Sequence, residues 1–589
     1  MAIVKMSKIK VIGLISDKDR VYNYLQNNSI VHIAKTGNYD NTTCIDNSEK
    51  ISKMTEKRAK IDDFITFIHN ETGTDVKEIT ITFDQISGLD YDYNSDEVLL
   101  GGLKLKDKIG AIKAELDKKE STKALLLMHS SESLSSLVEQ NVLSIDYDHD
   151  CLASEKVAEV KESIEGIKDQ LEKLRDELMN YDIKSLQLKR EYLSSEIQKA
   201  KGDNLIKVTK NTFILEFYIP SKEENGICDK LEKLSPTIIA EKERIKDDEE
   251  VPTLTQNNKV IRQAEFVTNM YSVPSYHESD PNFLVFWFFM IFFGYIMADI
   301  GIGLCLIIIG YFLASRIKED NGSKRLWTLI GTGGIFTIFW GTLYNSFFGF
   351  AVLPWGAIMP DPQQQTILTL LFCLLLGVLH IACAYFMKGL NAIKRGSVAD
   401  AILDCFLWDT FFLGMVMALA KFLLDFFHLV DFSQGGALAD FLTAIQEPGL
   451  FLLVASLLII VVFAGRKSKG FGKIVKGFTS LYGLISLMSD ILSYARLFGL
   501  MLSGAIIGQQ FDAIGVNLMS GGFIGILMGI IVIAIGNAFN LAMGALGAYI
   551  HDCRLQYIEY FGKFYTGEGI LFSPFRPDYK YVKITNGEN

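Results

Sequence analysis

The sequence lacks the motifs that mark a nucleotide-hydrolysing or metalloprotease site. Its 589 residues contain no G-x-x-x-x-G-K-[ST] loop, no GxGxxG turn in a βα unit and no HExxH pair. We therefore expect a chain that is not an enzyme, with no catalytic residue, no cofactor and no metal site. Any energy for transport must come from elsewhere.

Positive charge is also in short supply. The chain has 58 Lys and Arg against 69 Asp and Glu, a net charge of -11, and no concentrated basic surface stands out. Nucleic acid is therefore not an expected partner. The eight cysteines show no CxxC spacing, so unpaired thiols are expected. The first 20 residues carry Lys and Asp and no apolar stretch of signal-peptide length, so the first domain should stay in the cytoplasm.

What is present is a chain of two unlike halves. Its length exceeds what one hydrophobic core supports. Residues 1 to about 280 are rich in Lys, Glu, Asp and Ser, whereas long runs of Phe, Leu, Ile and Gly dominate from Phe283 onward. We predict a soluble cytoplasmic domain over 1–280 and a transmembrane domain over 281–589.

The soluble half should be an α+β domain. A strand at Lys8 to Leu14, a helix at Lys18 to Gln26 and a strand at Ile30 to Ala34 predict a small α/β lobe, and residues 212–239 repeat the pattern. Between these lobes, heptad spacing predicts a long antiparallel coiled-coil hairpin that turns near Asn141 to Asp150. An ordinary packed helix pair is the alternative. The seam residues are Leu105, Ile109, Ile112, Leu116, Val157, Val160, Ile164, Ile167, Leu171, Leu174 and Leu178.

The second half should be an all-α membrane domain that crosses the bilayer several times. Loops 316–325, 388–395 and 466–476 are basic, while loops 348–365, 427–447 and 512–521 contain no Lys or Arg. Basic loops remain in the cytoplasm, so this alternation fixes the sidedness. The apolar run 284–314 is either one tilted helix or two short ones. If it turns near Asp299, all basic loops and the C-terminal tail fall inside, which gives about eight passes with both termini cytoplasmic. The apolar segments are 284–314, 326–347, 366–387, 401–424, 449–464, 476–510 and 522–558.

Arg496 lies near the middle of an apolar segment, where a charge costs at least about 2.5 kcal/mol. Such a side chain needs a partner. Ser489, Ser493, Gly499 and Ser503 share its helical face, so another helix can approach closely. This narrow face favours a partner on another subunit. The alternative is a permanent ion pair within the chain, with Asp490, Asp409 or Asp299.

Arg554 repeats the theme on the last segment, in a stripe with Asn540, Gly547 and His551. A tilted helix would keep Arg554 at depth, whereas an upright one would let it extend to the interface. Asp404 is a further polar residue of low specificity, and Asp299 is as suited to capping a tight turn as to touching ions. The candidates for the ion path or its support are Ser493, Asp490, Glu559, His551, Asp299 and Asp409.

Four segments resemble one family, the membrane subunit a of V-type and archaeal-type rotary ATPases, called subunit I in bacteria. The resemblance covers nearly the whole chain. SDILSYARLFGLMLSG (489–504) and HDCRLQYIEYFGKFYTGEG (551–569) are similar to its last two helices. Residues 251–282 resemble its domain junction, and FGYIMADIGIG (293–303) resembles its first membrane hairpin. Some relatives carry an acidic residue where this chain has Gly544, and polar channel residues where it has Gly483 and Leu487.

The resemblance implies a stator that translocates H⁺ or Na⁺ beside a rotating ring of proteolipid (c or K type) subunits in the cell membrane, a bacterial plasma membrane by analogy. It places Arg496 opposite the ring carboxylate and Arg554 as the second arginine. It also implies that the N-terminal domain docks onto E/G-type peripheral stalks and that the complex includes a central-stalk-linked subunit.

Two other functions stay open from the residues. A secondary transporter could bind an anion at Arg496, although that fold usually shows inverted repeats and none is detected. A membrane-anchored scaffold or sensor could use the coiled coil alone, although two deep arginines argue against it.

Overall fold

The computed structural model of the chain describes all residues outside a set of gaps. The gaps are residues 1–2, 38, 40–41, 90, 92–96, 130–151, 247–248, 318–319, 353, 355, 427–436, 465, 467–471 and 586–589. The chain divides into two compact units, which we call the sheet unit (Met6–Lys246 with Ser573–Asn589) and the helix unit (Met1–Lys5 with Asp247–Phe572). These are spatial groupings. The functional domains 1–280 and 281–589 stay a prediction.

The sheet unit contains a six-stranded sheet. The strands of the unit before its C-terminal tail are β1 (Met6–Leu14), β2 (His32–Ile33), β3 (Thr43–Cys44), β4 (Ile79–Ile81), β5 (Lys207–Val208), β6 (Thr212–Pro220) and β7 (Ile239–Glu243). The order is β3-β5-β6-β1-β7, with β2 also on β6 and β4 outside the sheet. Ile9 and Val11 alternate with Lys8 and Lys10 along β1, so they point into the core while Lys8 forms a 2.9 Å ion pair with Glu216.

The prediction of two separate α/β lobes was wrong. β1 belongs to the first predicted lobe and β6 to the second, yet they pair antiparallel from Met6 opposite Pro220 to Leu14 opposite Thr212. A lobe with so few strands would leave unpaired edges and a small core, and merging the lobes removes both problems. Strand pairing across about 200 residues leaves no local trace in the sequence.

Seven α-helices within the described residues complete the sheet unit. α4 and α5 pack together, and the predicted seam is largely buried, including Leu105, Ile109, Val160, Ile164 and Leu178. Leu126 clusters with Val160 and Ile109 with Leu178, so the two helices run antiparallel. The predicted turn at 141–150 and Cys151 lie outside the described residues, and the described cysteines are unpaired. The helices are α1 (Lys18–Asn28), α2 (Ser48–Thr72), α3 (Phe83–Ser87), α4 (Glu97–Met128), α5 (Ala153–Met179), α6 (Ile183–Asp203) and α7 (Glu224–Leu234).

The C-terminal tail is part of the sheet unit. Its strand Val582–Ile584 pairs parallel with β4. Phe575 is buried in the core of the sheet, with its ring 5.4 Å from that of Tyr22. The fully buried Glu191 of α6 accepts hydrogen bonds from the backbone N–H groups of Lys580 and Tyr581 at 2.9 and 2.8 Å. The tail therefore supplies both apolar packing and partners for a buried charge.

The helix unit is built mainly from long apolar helices, preceded by a shorter one. They are α8 (Ala264–Tyr271), α9 (Asn282–Met297), α10 (Ile300–Arg316), α11 (Gly322–Tyr344), α12 (Thr366–Lys394), α13 (Leu407–Phe426), α14 (Ala437–Phe463), α15 (Gly472–Leu492), α16 (Ala495–Met519) and α17 (Gly522–Arg554). Six described stretches are helical, long and apolar enough to cross a membrane: Gly322–Tyr344, Thr366–Lys394, Val398–Asp425, Asp440–Phe463, Tyr482–Met519 and Gly522–Phe564. An N-terminal mixed α/β region thus precedes a helical C-terminal part.

The ambiguous run 284–314 forms two short helices, α9 and α10, rather than one. Ala298 between them has a φ of 26°, which breaks the helix. α10 then packs closely against α11, where a Cβ on Gly310 would lie 2.5 Å from the backbone nitrogen of Gly331. Small residues thus allow these backbones to touch.

The segment that precedes α9, residues 257–281, contacts the ends of several helices of the helix unit. Arg325 of α11 donates to Glu265 at 2.8 Å, and the Tyr557 hydroxyl donates to the carbonyl of Val267 at 2.8 Å. Asp280 is half-buried, and this partial burial raises the pKa of its carboxyl although Asn282 and Asn257 donate hydrogen bonds to it. This segment therefore fixes the helix ends with buried polar contacts.

Candidate functional site

Arg496 lies at the start of α16, immediately after a break in the helix. The regular helix stops at Leu492 and resumes at Ala495, and the fully buried Tyr494 occupies the break. A Cβ added to Gly499 would meet no atom, so the chain leaves space one turn beyond the arginine. The predicted face of small residues is therefore open at this point.

Among the described residues, Glu559 is the carboxylate within ion-pair range of Arg496. Their nearest atoms, Nη2 and Oε1, are 3.9 Å apart, and the two side chains are 19% and 3% exposed. This distance is too long for a hydrogen bond. The Nη1 of Arg496 is buried without a hydrogen-bond partner in the described structure. The arginine is thus held near a carboxylate without being neutralised by a close contact.

A π-helix brings Glu559 to this position. α17 continues as the π-helical segment Leu555–Phe561, followed by a short helix at Gly562–Phe564. The wider turn redirects every side chain after Arg554 relative to a regular α-helix. The sequence of this stretch predicts a regular helix, and no residue pattern in it reveals the change.

Arg554 and His551 lie on the last turns of α17. Arg554 is exposed, and it is close enough to Arg496 and Glu559 for the charges to interact. His551 is half-buried, and its Nδ1 is buried without a partner in the described structure. The two arginines thus share one region with the buried carboxylate of Glu559.

Two of the predicted carboxylates are committed to other partners. Asp490 pairs with Lys563 rather than with Arg496. Asp299 caps the start of α10 by accepting from the N–H of Ile302 at 3.0 Å, and it also accepts from Phe348, Gly349 and the Ser346 hydroxyl. Asp299 therefore performs the turn-capping role that was one of its two interpretations.

The other polar candidates are spread more widely. The Ser493 hydroxyl lies in the break before α16 and donates to the carbonyl of Ser489 at 3.1 Å. Asp409 is on α13, with its Oδ1 buried and unpaired in the described structure. Asp404 pairs with Arg466 at 2.7 Å. Within the described parts of the chain, no cluster of three or more potential metal ligands occurs.

A cavity of about 650 Å³ opens beside α16 and α17. Its lining is mostly apolar and includes the polar residues Asp299, Asn345, Ser346, Asp361, Gln363, Ser503, Gln509, Asn537 and Asn540. Leu500 also lines it, and Leu500 is about one helical turn after Arg496. The cavity therefore runs from the loop between α11 and α12 to within a turn of the arginine.

Several cavity residues carried no signal in the sequence analysis. Asn537 donates to Asp512 at 2.8 Å, and both are buried. Gln363 donates to Gln509 at 2.7 Å. Amide side chains are common in loops and helices, so only their convergence identifies them. Asn540, in the predicted stripe of Arg554, donates to the carbonyl of Gly504 at 3.2 Å.

Gly544, where some relatives carry an acidic residue, also lines the cavity. A Cβ at this position would lie 2.9 Å from the sulfur of Met297. A larger side chain would therefore require Met297 to move. The described carboxylates in the lining of the cavity are those of Asp299 and Asp361.

Comparisons of the amino-acid sequence with known proteins indicate a family. Residues 136–359 match the V-type ATPase 116kDa subunit family. The chain is 26% identical to the A-type ATP synthase subunit I of Methanocaldococcus jannaschii, over 91% of this chain and 82% of that protein. It is 27% identical to subunit I of Pyrococcus horikoshii over 72% of this chain, and 23% identical to the V-type ATP synthase subunit I of Chlamydia pneumoniae over 62%. These last two matches span 62% and 60% of the relatives' own length. The chain belongs to the subunit I/a family of V-type and A-type ATP synthases.

Proposed function

We propose that the chain is the membrane stator of a rotary ATPase, in which it carries H⁺ or Na⁺ past a rotating ring. As a subunit I it is not a catalytic subunit. The observation that carries the proposal is the position of Arg496. This half-buried guanidinium has an unpartnered nitrogen and lies one turn from the end of a polar cavity.

The chemistry of Arg496 follows from the cost of burying charge. A ring carboxylate can travel through lipid only when it is neutral, with a bound proton or cation. Opposite Arg496 the carboxylate is stabilised in its charged form, so it releases its ion there. The guanidinium also prevents an ion from passing directly to the other side. Each ion must then travel round with the ring, which couples transport to rotation.

The cavity is suited to be the outer half-channel. The polar residues in its lining offer hydrogen bonds to water and ions, and its inner end approaches the face of α16 that carries Arg496. Arg554 ends α17 and Glu559 follows in the π-helical segment beside Arg496, where the two charges can set the field at an inner entrance. We keep Ser493, His551, Asp490 and Asp409 as candidates for that inner path.

The position of the tail supports an even number of membrane crossings. One folded unit is formed by residues that precede the membrane helices in the sequence, Met6–Lys246, and residues that follow them, Ser573–Asn589. A folded soluble unit lies on one side of a bilayer. Six long helices and the α9–α10 hairpin give about eight crossings, whereas a single crossing by α9 and α10 would give an odd number. With the basic loops inside, both termini are cytoplasmic, and the chain lies in the cell membrane.

The partners follow from the same proposal. The α16–α17 surface faces the proteolipid ring, and the lipid bilayer surrounds the rest of the helix unit. The N-terminal domain, with its long helical hairpin, docks onto E/G-type peripheral stalks and lies near a central-stalk-linked subunit. Such a hairpin has the shape of a strut that resists the torque of the ring.

Purification of the tagged chain separates this function from a secondary transporter and from an anchored scaffold. We expect ATPase and proteolipid subunits to stay bound through a high-salt wash, and the reconstituted complex to take up ions only when ATP is present. A chain that purifies alone and moves an anion down its gradient would contradict the stator proposal. A complex that hydrolyses ATP without any ion uptake would also contradict it.

A further inference from the structure

We propose that His380 of α12 is a positioning residue that sets the separation of Arg496 and Glu559. This inference rests on the proposed function. His380 is fully buried and touches both elements that carry the two charges. Its Nδ1 is 2.8 Å from the hydroxyl of Tyr494, two residues before Arg496. Its ring stacks on Tyr560, one residue after Glu559, with centroids 4.4 Å apart and planes at 10°.

The surrounding residues hold the imidazole in one place. Phe288 and Phe292 of α9 close its remaining sides, with ring centroids at 4.3 and 5.2 Å. Gly377, one turn earlier on α12, makes room for Tyr494, because a Cβ there would lie 2.4 Å from the phenol ring. A ring enclosed in this way has one available orientation, so the groups that rest on it are also fixed.

The position of Arg496 depends most on the hydrogen bond between His380 and Tyr494, which lies at the break between α15 and α16. Tyr494 occupies the irregular step between α15 and α16, where the backbone lacks the full support of a regular helix. Its buried hydroxyl needs a partner, because an unpaired polar group in this environment is costly. Either neutral tautomer of His380 supplies that partner. Without the bond, Tyr494 would shift and the start of α16 would shift with it.

The consequence for Arg496 follows from the 3.9 Å separation. At this distance Glu559 attracts the guanidinium but forms no hydrogen bond with it. A closer, bidentate contact would neutralise the arginine and remove it from the ring carboxylate. A wider separation would leave the arginine free to turn away. His380 therefore fixes a distance at which Arg496 is held in place and still available.

Paired substitutions test this role. His380→Phe keeps an aromatic ring against Tyr560 but loses the hydrogen bond, and Tyr494→Phe removes the same bond from the other side. We expect each to lower the number of ions taken up per ATP hydrolysed at least about 10-fold, since a 1 Å misplacement of a reacting group can cost about 100-fold. The double variant should be no worse than either single one, and His380→Gln, which can still bond to Tyr494, should recover part of the loss.

Tyr295→Phe is the matched control, because it removes another fully buried tyrosine hydroxyl that bonds Tyr344 and Cys373 instead. Its ion-to-ATP ratio should equal that of the unchanged chain. Losses that add in the double variant, or a Tyr494→Phe ratio equal to that of Tyr295→Phe, would overturn the role of His380. If His380→Phe does not assemble, Tyr494→Phe decides the question, since it removes only one oxygen. Failure of the unchanged complex to pump would instead refute the proposed function.

Discussion

Replacing Arg496 by alanine should reduce ATP-driven ion uptake to below about 1% of the unchanged rate. The ring carboxylate would then have to face the stator either neutral or as an uncompensated buried charge. The uncompensated buried charge costs several kcal/mol. Each 1.4 kcal/mol, roughly, corresponds to a tenfold change, so twice that energy already lowers the rate of uptake about 100-fold. The measurement is ion uptake into vesicles that contain the whole complex, with ATP hydrolysis and subunit composition assayed on the same preparation.

Arg316→Ala is a suitable control for this loss of charge. Arg316 ends α10, is exposed and lies over the ring of Phe312, away from the cavity. Its replacement should leave uptake within about twofold, as for most surface changes. Uptake by the Arg496→Ala complex at the rate of the Arg316→Ala complex would show that Arg496 has a structural role only.

Replacing Phe575 by alanine should destabilise the sheet unit by about 3 kcal/mol, the usual cost of removing a buried phenyl ring. Phe575 is 3% exposed and packs on Tyr22 and Gly202, far from it in sequence. The cavity left behind would open the core that the tail closes. Hydrogen exchange of the full chain in detergent should show the protected amides of β6 and α6 opening about 100-fold more often.

Lys583→Ala provides the control on the same tail, because Lys583 is exposed on the strand beside β4. It should leave exchange in β6 and α6 unchanged. If Phe575→Ala also left these amides protected, the tail would be only a loosely attached segment. The packing of the tail would then no longer support an even number of membrane crossings.

Features that depend on local pattern could be read from the sequence. Apolar length and the distribution of Lys and Arg located the membrane helices, and the heptad spacing located α4 and α5. Arg496 was recognisable because a charge in an apolar helix is costly. The length of the run 284–314 allowed one helix or two, and the alternation of basic and non-basic loops favoured a turn near Asp299. Each of these inferences uses residues that are neighbours along the chain.

Features that depend on distant residues could not be read in the same way. The pairing of β1 with β6, the burial of Phe575 and the contact of His380 with Tyr494 join segments more than 100 residues apart. The π-helical turn before Glu559 is local, but the sequence of that turn is compatible with a regular helix. Each is selected by packing in the folded chain rather than by local preference.

Thiol labelling of Ser503→Cys tests the central claim most directly. Ser503 is exposed, lines the cavity and lies two turns from Arg496 toward the proposed outer side. Ser489, which is exposed about two turns from Arg496 in the other direction, provides the matched variant Ser489→Cys.

Each variant would be treated from one side of the membrane with an impermeant thiol reagent, and the modified residue identified by peptide mass spectrometry. We predict that Cys at 503 reacts only from the side opposite the sheet unit, Cys at 489 only from the cytoplasm, and that modification at 503 blocks ATP-driven uptake. Modification of position 503 from the cytoplasmic side, or no modification from the outside, would contradict an aqueous outer path that ends at Arg496.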